Sequence, residues 1–167
     1  MSAAAPASAP GQPVLALAGL SVSLDATGRR VPVDDVSLSL AAGETLCLVG
    51  ESGCGKSMTA LACMGLLPEG GRISAGRIAF RGEAIDGASP GHWRRLRGDA
   101  LAMIFQEPMT SLNPVFSIGR QVAEPLRVHR GMDRKAALRR AAELLEQVGI
   151  PDPGERLRAD RKSTRLN

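Results

Sequence analysis

Eight consecutive residues, Gly50-Glu51-Ser52-Gly53-Cys54-Gly55-Lys56-Ser57, constrain this 167-residue chain more than any other feature. They satisfy G-x-x-x-x-G-K-[ST], the Walker A pattern. Glycines at that spacing let the backbone curl until successive N–H groups face inward and cradle a β-phosphate. A helix that follows directly turns its positive end toward the same anion. Lys56 is then placed to reach the β- and γ-phosphates, and the Ser57 hydroxyl to hold Mg²⁺. All eight residues are candidate nucleotide-binding positions, with Ser57 also a candidate metal ligand. The bland reading is a glycine-rich turn that matches by accident. The flanks argue against it: Thr45–Val49 reads as a buried strand of the parallel-sheet kind, and Ser57–Leu66 as a helix stopped by Pro68. Cys54 reads either as a reactive thiol at a helix N-terminus or as a permitted filler, and filler is favoured.

Around this loop the hydrophobic period predicts the rest of an α/β chain. Apolar residues alternate at Leu20, Val22 and Leu24, at Val31 and Val33, and at Val36, Leu38 and Leu40. Period two predicts half-buried strands, with Asp25–Gly28 as the turn between the first two runs. Ala42-Gly43-Glu44 forms a turn. Residues 71–85 predict a second strand pair with Ile78 and Phe80 inward, 90–96 a short basic helix containing Trp93, and Leu101–Phe105 a second buried strand. Asp133 is a predicted N-cap for a helix with Ala137, Leu138, Ala141, Leu144, Leu145 and Val148 on one stripe. Gly149 and Pro151 end it.

Composition excludes several classes. Cys47, Cys54 and Cys63 are an odd number without a C-x-x-C pair, which predicts reduced thiols in a cytoplasm rather than a disulfide framework or zinc site. No apolar run approaches the ~18–20 residues needed to cross a bilayer. The start, MSAAAPASAPGQP, lacks the basic and apolar regions of a signal peptide and reads as a disordered leader over 1–13. Half of the +4 net charge sits in residues 160–167, where Arg161, Lys162 and Arg165 face one Asp160. That leaves no footprint for nucleic acid. Arg94, Arg95 and Arg97 beside Trp93 read as a solvated helix face.

A Walker A loop alone does not choose among transporters, kinases and GTPases. The choice comes at Met103-Ile-Phe-Gln106-Glu-Pro-Met-Thr-Ser-Leu-Asn-Pro114. This stretch resembles the Q-loop region of ABC transporter ATPases. Its form FQEPMTSLNP, with GESGCGKSMTALACMGLLP at residues 50–68, is similar to the dipeptide, oligopeptide, nickel and glutathione importer group. The resemblance covers roughly residues 14–158. It implies a P-loop NTPase fold, an ABC-type nucleotide-binding domain with an N-terminal antiparallel β subdomain. Residues 14–106 would be the N-terminal part of the ATP-binding core and 107–159 an incomplete helical subdomain. Gln106 would touch Mg²⁺ or the attacking water and report nucleotide state. The implied cofactors are ATP and Mg²⁺. The implied partners are membrane permease subunits, a second ATPase subunit and, indirectly, an extracytoplasmic solute-binding protein. The implied place is peripheral, at the cytoplasmic face of the inner membrane. The helical part would dock on the permease's coupling helix.

The sequence departs from that family in three ways. The family stacks adenine on an aromatic residue upstream of the loop, and the matching region offers Leu24; affinity is then expected from the phosphates and Mg²⁺. No LSGGQ-like signature, Walker B strand ending in Asp-Glu or switch histidine follows, so the chain is expected to stop before the signature and to lack turnover by itself. His92 and His129 precede that region and read as surface residues. Residues 160–167, DRKSTRLN, match the in-frame translation of a sequencing-library adapter and read as a non-native tail. The leading expectation is an importer ATPase subunit for peptides or a related small solute. A non-catalytic nucleotide-binding fragment and a small-molecule kinase are the rivals. Gln106–Pro114 disfavours the kinase. With the parallel sheet unfinished, Leu46, Leu48, Ile104 and Phe105 are expected to be incompletely buried.

Overall fold

A computed structural model of the chain describes residues 12–106 and 111–159. The leader up to residue 11, residues 107–110 of the Q-loop stretch and the terminal DRKSTRLN lie outside the described residues. The chain divides into two compact units, one from Ala4 to Arg97 and one containing Gly98–Asn167.

The first unit is built on an antiparallel sheet. Strand β1 (Leu15–Ser23) lies between β2 (Val33–Leu40) and β3 (Arg72–Phe80), and β4 (Glu83–Ala84) adds a short edge to β3, in the order β2-β1-β3-β4. Alternation accounts for Ile78 and Phe80, which are buried with Leu17, Leu20, Val22 and Val33, whereas the end of β1 is buried at every position from Leu20 to Ser23. The Asp25 carboxylate closes the predicted turn, accepting from Thr27 Oγ1 at 2.9 Å and from the Arg29 and Arg30 amides. The pairing slips between Leu17 and Leu20 and again between Ala18 and Ser21. There Gly19 and Gly76 both take positive φ, and any Cβ on Gly76 would collide with the Gly19 carbonyl. The bulge is possible because both chains lack a side chain at the point of closest approach.

Helix α1 (Lys56–Cys63) follows the loop, and α2 (Pro90–Leu96) begins at the N-cap Ser89, whose hydroxyl accepts from the His92 amide. α1 stops three residues earlier than its apolar run predicts. The chain turns at Gly65, where the indole of Trp93 occupies the space a side chain would need. Arg97 is no part of a solvated face. Its guanidinium lies 4.8 Å from the Trp93 ring centroid and donates to the carbonyls of Met64 and Gly65 just past the end of α1. A cation there answers both the unpaired carbonyls and the negative end of the helix. Arg94 and Arg95 are exposed as expected. His92 is half-buried rather than fully exposed: its side chain is 20% exposed, Nδ1 stands 3.7 Å from Glu83, and the buried Nε2 has no hydrogen-bond partner among the described residues.

The largest correction concerns the two predicted buried strands. Thr45–Val49 carries no regular secondary structure, and Leu101–Phe105 has none beyond an isolated bridge at Leu101. Leu46, Leu48, Val49, Ile104 and Phe105 are all exposed, Ile104 at 99%. A parallel central strand needs a hydrogen-bonded neighbour along each side and cover on both faces. Among the described residues neither segment has such a neighbour.

In the second unit the helical stretch resolves into α3 (Ile118–Arg130), α4 (Arg134–Gln147) and α5 (Pro153–Arg156). Described residues 111–117 are not helical. Gln121 staples them, accepting from the Asn113 amide at 2.8 Å and donating to the Asn113 and Phe116 carbonyls. Asp133 caps α4 as predicted, accepting from Lys135 and Ala136, and those two bonds hold its carboxyl below the usual range. Ala137 and Ala141 pack with Ala123 of α3 at the centre of this unit. Val148, assigned to the stripe by its spacing, is exposed because the helix ends at Gln147. α3 carries Pro125 in its interior. That residue withholds one ladder donor and hides the helix from a propensity reading.

Candidate functional site

The loop Gly50–Ser57 joins the unpaired segment to α1. Two backbone positions define its bend: Gly53 at φ 85° and Gly55 at φ 93°, both in the left-handed region. At Gly55 the requirement is double, since a Cβ would also strike the Pro32 carbonyl next to β2. The antiparallel sheet thus buttresses the loop from beneath, through a residue that no motif names. At the other end a Cβ on Gly50 would lie 2.7 Å from Cys54 Sγ. That neighbour is a rotatable side chain, so backbone strain demands glycine at Gly53 and Gly55 and not at Gly50.

Lys56 draws the loop together. Its ammonium donates to the Gly50 carbonyl at 2.6 Å and to the Glu51 carbonyl at 2.7 Å, with Cys54 Sγ at 3.3 Å. The hydrogen bond from Lys56 pulls the Cys54 thiol below its ordinary range. The geometry therefore leans toward the reactive-thiol reading of Cys54 that the sequence placed second. Cys63 behaves oppositely, pushed up to about 11 by burial. Thr59 Oγ1 donates back to the Gly55 carbonyl at 3.1 Å, anchoring the start of α1. Its N-cap is Gly55, which has no side chain to offer the first-turn N–H groups, and among the described residues no capping side-chain bond is made there. Ser57 is the second residue of that helix and is exposed, as are Gly50–Cys54.

This donor set fits a phosphate chain. It combines a backbone bend that excludes Cβ atoms, amides without a capping side chain at a helix start, one ammonium and one hydroxyl, and among the described residues no carboxylate bonds into the bend. Gln106 belongs to the second unit, where it is exposed on a bend. Leu24 is half-buried just past β1. Sequence reasoning missed the Pro32 carbonyl, the Arg97 cap and the Gln121 staple. None has a periodic or motif signal: Pro32 and Arg97 act through backbone contacts distant in sequence, and Gln121 bonds to backbone groups of Asn113 and Phe116 at spacings that belong to no regular period.

Fold and loop define an α/β nucleotide-binding domain of the P-loop NTPase class. The sequence model described as ABC transporter matches residues 33–166, and the chain belongs to that family. A putative peptide import ATP-binding protein of Brucella abortus is 50% identical over 155 residues, covering 87% of this chain and 45% of the relative. The dipeptide transport ATP-binding protein of Bacillus subtilis is 46% identical over 147 residues, covering 87% and 44%. The glutathione import ATP-binding protein of Salmonella typhimurium is 46% identical over 146 residues, covering 83% and 23%. The chain thus spans less than half the length of these relatives. Among the described residues no helix is long and apolar enough to cross a membrane.

Proposed function

We propose that the chain is the nucleotide-binding front of an importer ATPase subunit that couples ATP binding and hydrolysis to uptake of peptides or a related small solute. The carrying observation is the closed bend at Gly50–Ser57, with Lys56 bonded across it. Gly50, Glu51, Ser52, Gly53, Cys54, Gly55, Lys56 and Ser57 would hold the triphosphate. Lys56 would exchange its two carbonyl partners for phosphate oxygens, a stronger pairing because both members are charged. Ser57 and Gln106 would hold Mg²⁺, which would supply charge neutralisation at the phosphates. Gln106 would also orient the attacking water.

The likeness to peptide, dipeptide and glutathione import proteins supports peptide import. Membrane permease subunits, a second ATPase subunit and an extracytoplasmic solute-binding protein complete the proposed assembly, with this chain peripheral at the cytoplasmic face of the inner membrane. Residues 14–106 and 107–159 are assigned to the core and helical subdomains, and the chain alone is assigned no turnover.

Calorimetry with ATP and Mg²⁺ on the chain and on Lys56→Ala decides the loop's role. Loss of a charged hydrogen-bond donor predicts roughly 1.5–3 kcal/mol, about 10- to 150-fold in Kd. Equal affinity in both proteins would remove the phosphate loop from the proposal.

A further inference from the structure

The segment that buttresses the phosphate loop carries two cations that the loop itself does not use. The Pro32 carbonyl and the Val33 side chain lie against Gly55. Just before them run Arg29, Arg30 and Val31, all exposed. Their backbone is fixed by the turn that opens this run. The Leu24 amide donates to the Arg30 carbonyl at 2.8 Å, and the Asp25 carboxylate accepts from the Arg29 amide at 3.1 Å and the Arg30 amide at 2.9 Å. From β3, Arg72 braces the same turn by donating to the Asp25 carbonyl at 2.7 Å and the Ala26 carbonyl at 3.2 Å. Asp25 is the only acid between Leu24 and Val33, and its carboxylate is occupied by those amides and the Thr27 hydroxyl. Among the described residues neither Arg29 nor Arg30 uses its guanidinium in an ion pair, hydrogen bond or ring contact.

Exposed arginines on a turn are ordinary by themselves. Two further observations set this pair apart. The first is place: Arg30 precedes the residue that touches the loop by two positions, about 7 Å of extended chain, which a long side chain can cover. The second concerns the rest of the unit. A nucleotide whose phosphates sit in the bend leaves its sugar and base to other contacts. The first unit has two aromatic residues, Phe80 and Trp93. Phe80 is 5% exposed, and the Trp93 indole fills the space beside Gly65 with the Arg97 guanidinium over it. Neither ring is open to a base, and Leu24 at the foot of the turn has no ring. The planar groups on the segment that reaches the loop are the two guanidiniums.

We propose that Arg29 and Arg30 hold the nucleoside end of the bound nucleotide, with a guanidinium plane laid over the face of the base. The inference rests on the nucleotide reading of the loop and adds the residues that meet the base. A guanidinium is planar, permanently charged and weakly hydrated, so it stacks on a ring where a compact ammonium does not. Every base offers a π-face, so stacking of this kind tolerates any base. The chain therefore selects the phosphates and takes ATP, GTP and CTP alike.

The experiment titrates the whole chain with ATP, GTP, CTP and inorganic tripolyphosphate, each with Mg²⁺, by calorimetry at about 0.15 M salt to screen distant charge. The three nucleotides are expected to bind within about 3-fold of one another and more tightly than tripolyphosphate. Arg29→Lys with Arg30→Lys keeps both charges and removes both planes. It should weaken all three nucleotides by about 3- to 10-fold and leave tripolyphosphate near its parental affinity. Arg29→Ala with Arg30→Ala should weaken the nucleotides at least as much, with unchanged far-ultraviolet circular dichroism. Arg94→Gln with Arg95→Gln, on α2, should change nothing. Parental nucleotide affinity in both turn variants would overturn the proposal. So would an equal loss for nucleotides and tripolyphosphate, which would confine the arginines to the phosphates, or a preference above about 10-fold for one base, which stacking alone does not give. Tripolyphosphate that binds the parent and is lost in Lys56→Ala keeps the loop reading intact whichever way the arginines behave. Absence of binding by ATP and tripolyphosphate alike would overturn both readings together.

Discussion

The antiparallel sheet and the two exposed segments flanking the site residues carry similar amounts of apolar side chain and meet opposite fates. Leu20 and Val22 of β1 are fully buried, whereas Val49 is 91% exposed. Side-chain chemistry does not separate them; the kind of partner each needs does. β1 and β2 are joined through residues 24–32, and β3, which begins only at Arg72, pairs antiparallel with the other edge of β1. Every strand this sheet uses lies within residues 15–84. Thr45–Val49 and Leu101–Phe105 lack the alternation of a half-solvated strand and must be covered on both faces, so each depends on neighbours joined through long crossovers. The phosphate loop is thus buttressed on the Pro32 side by finished structure and entered from the other side by an unpaired segment.

The largest consequence is for the state of the whole chain. Unpaired apolar segments invite association. Purified chain is expected to bind the dye ANS and to elute above its 17.5 kDa mass in size-exclusion chromatography. Leu48→Ser together with Ile104→Ser should lower both signals. A monomer with a sharp, cooperative melt would break the contrast between the two regions.

Single truncations sharpen it. Ile78→Ala empties a buried position in the sheet and is expected to destabilise by about 2–5 kcal/mol in urea unfolding. Leu48→Ala, in the unpaired segment, should stay within about 0.5 kcal/mol. Comparable losses at the two sites would mean that Leu48 is buried in solution.

Gly55→Ala probes the buttress that links the two regions. The substitution meets a left-handed φ of 93° and the Pro32 carbonyl together. It is expected to destabilise by roughly 1–3 kcal/mol and to weaken ATP binding. Gly87→Ala, where a Cβ has open space and φ is not positive, should leave both measurements near parental values. A neutral Gly55→Ala would show that the bend is not held against the sheet.

Much of this was legible in the residues, for reasons that differ by element. The octet Gly50–Ser57 made a glycine-dependent bend legible because its glycine spacing is that of a Walker A pattern. The Asp133 cap was legible because capping depends on residues two and three positions away. Alternation found β1, β2 and β3 and placed Ile78 and Phe80 inward. Alternation did not reveal that β3 pairs mainly with β1 rather than with its sequence neighbour β4. The same limit explains Arg97: nothing local says that its guanidinium will reach the Met64 and Gly65 carbonyls. Apolar content also overstated Thr45–Val49 as a strand, since hydrophobicity records a need for cover without supplying it.

The smallest test reads the contrast through the thiols around the loop. Burial lifts Cys63 from 9.0 to about 11, while the Lys56 hydrogen bond lowers exposed Cys54. Iodoacetamide near neutral pH should therefore modify Cys54 first and leave Cys63 until the chain unfolds. Lys56→Ala should slow labelling at Cys54 without altering Cys63; an unchanged rate would separate the cation from the thiol. The pH dependence of stability has the sign set by Cys63. Its thiol ionises in the unfolded chain as pH passes 9.0 but keeps its proton in the folded chain until about 11. Stability from this group is complete below pH 9 and declines as pH rises toward 11. Cys63→Ser should flatten that decline, and a slope unaffected by the substitution would mean that the thiol is open to water, like the exposed segment on the far side of the loop.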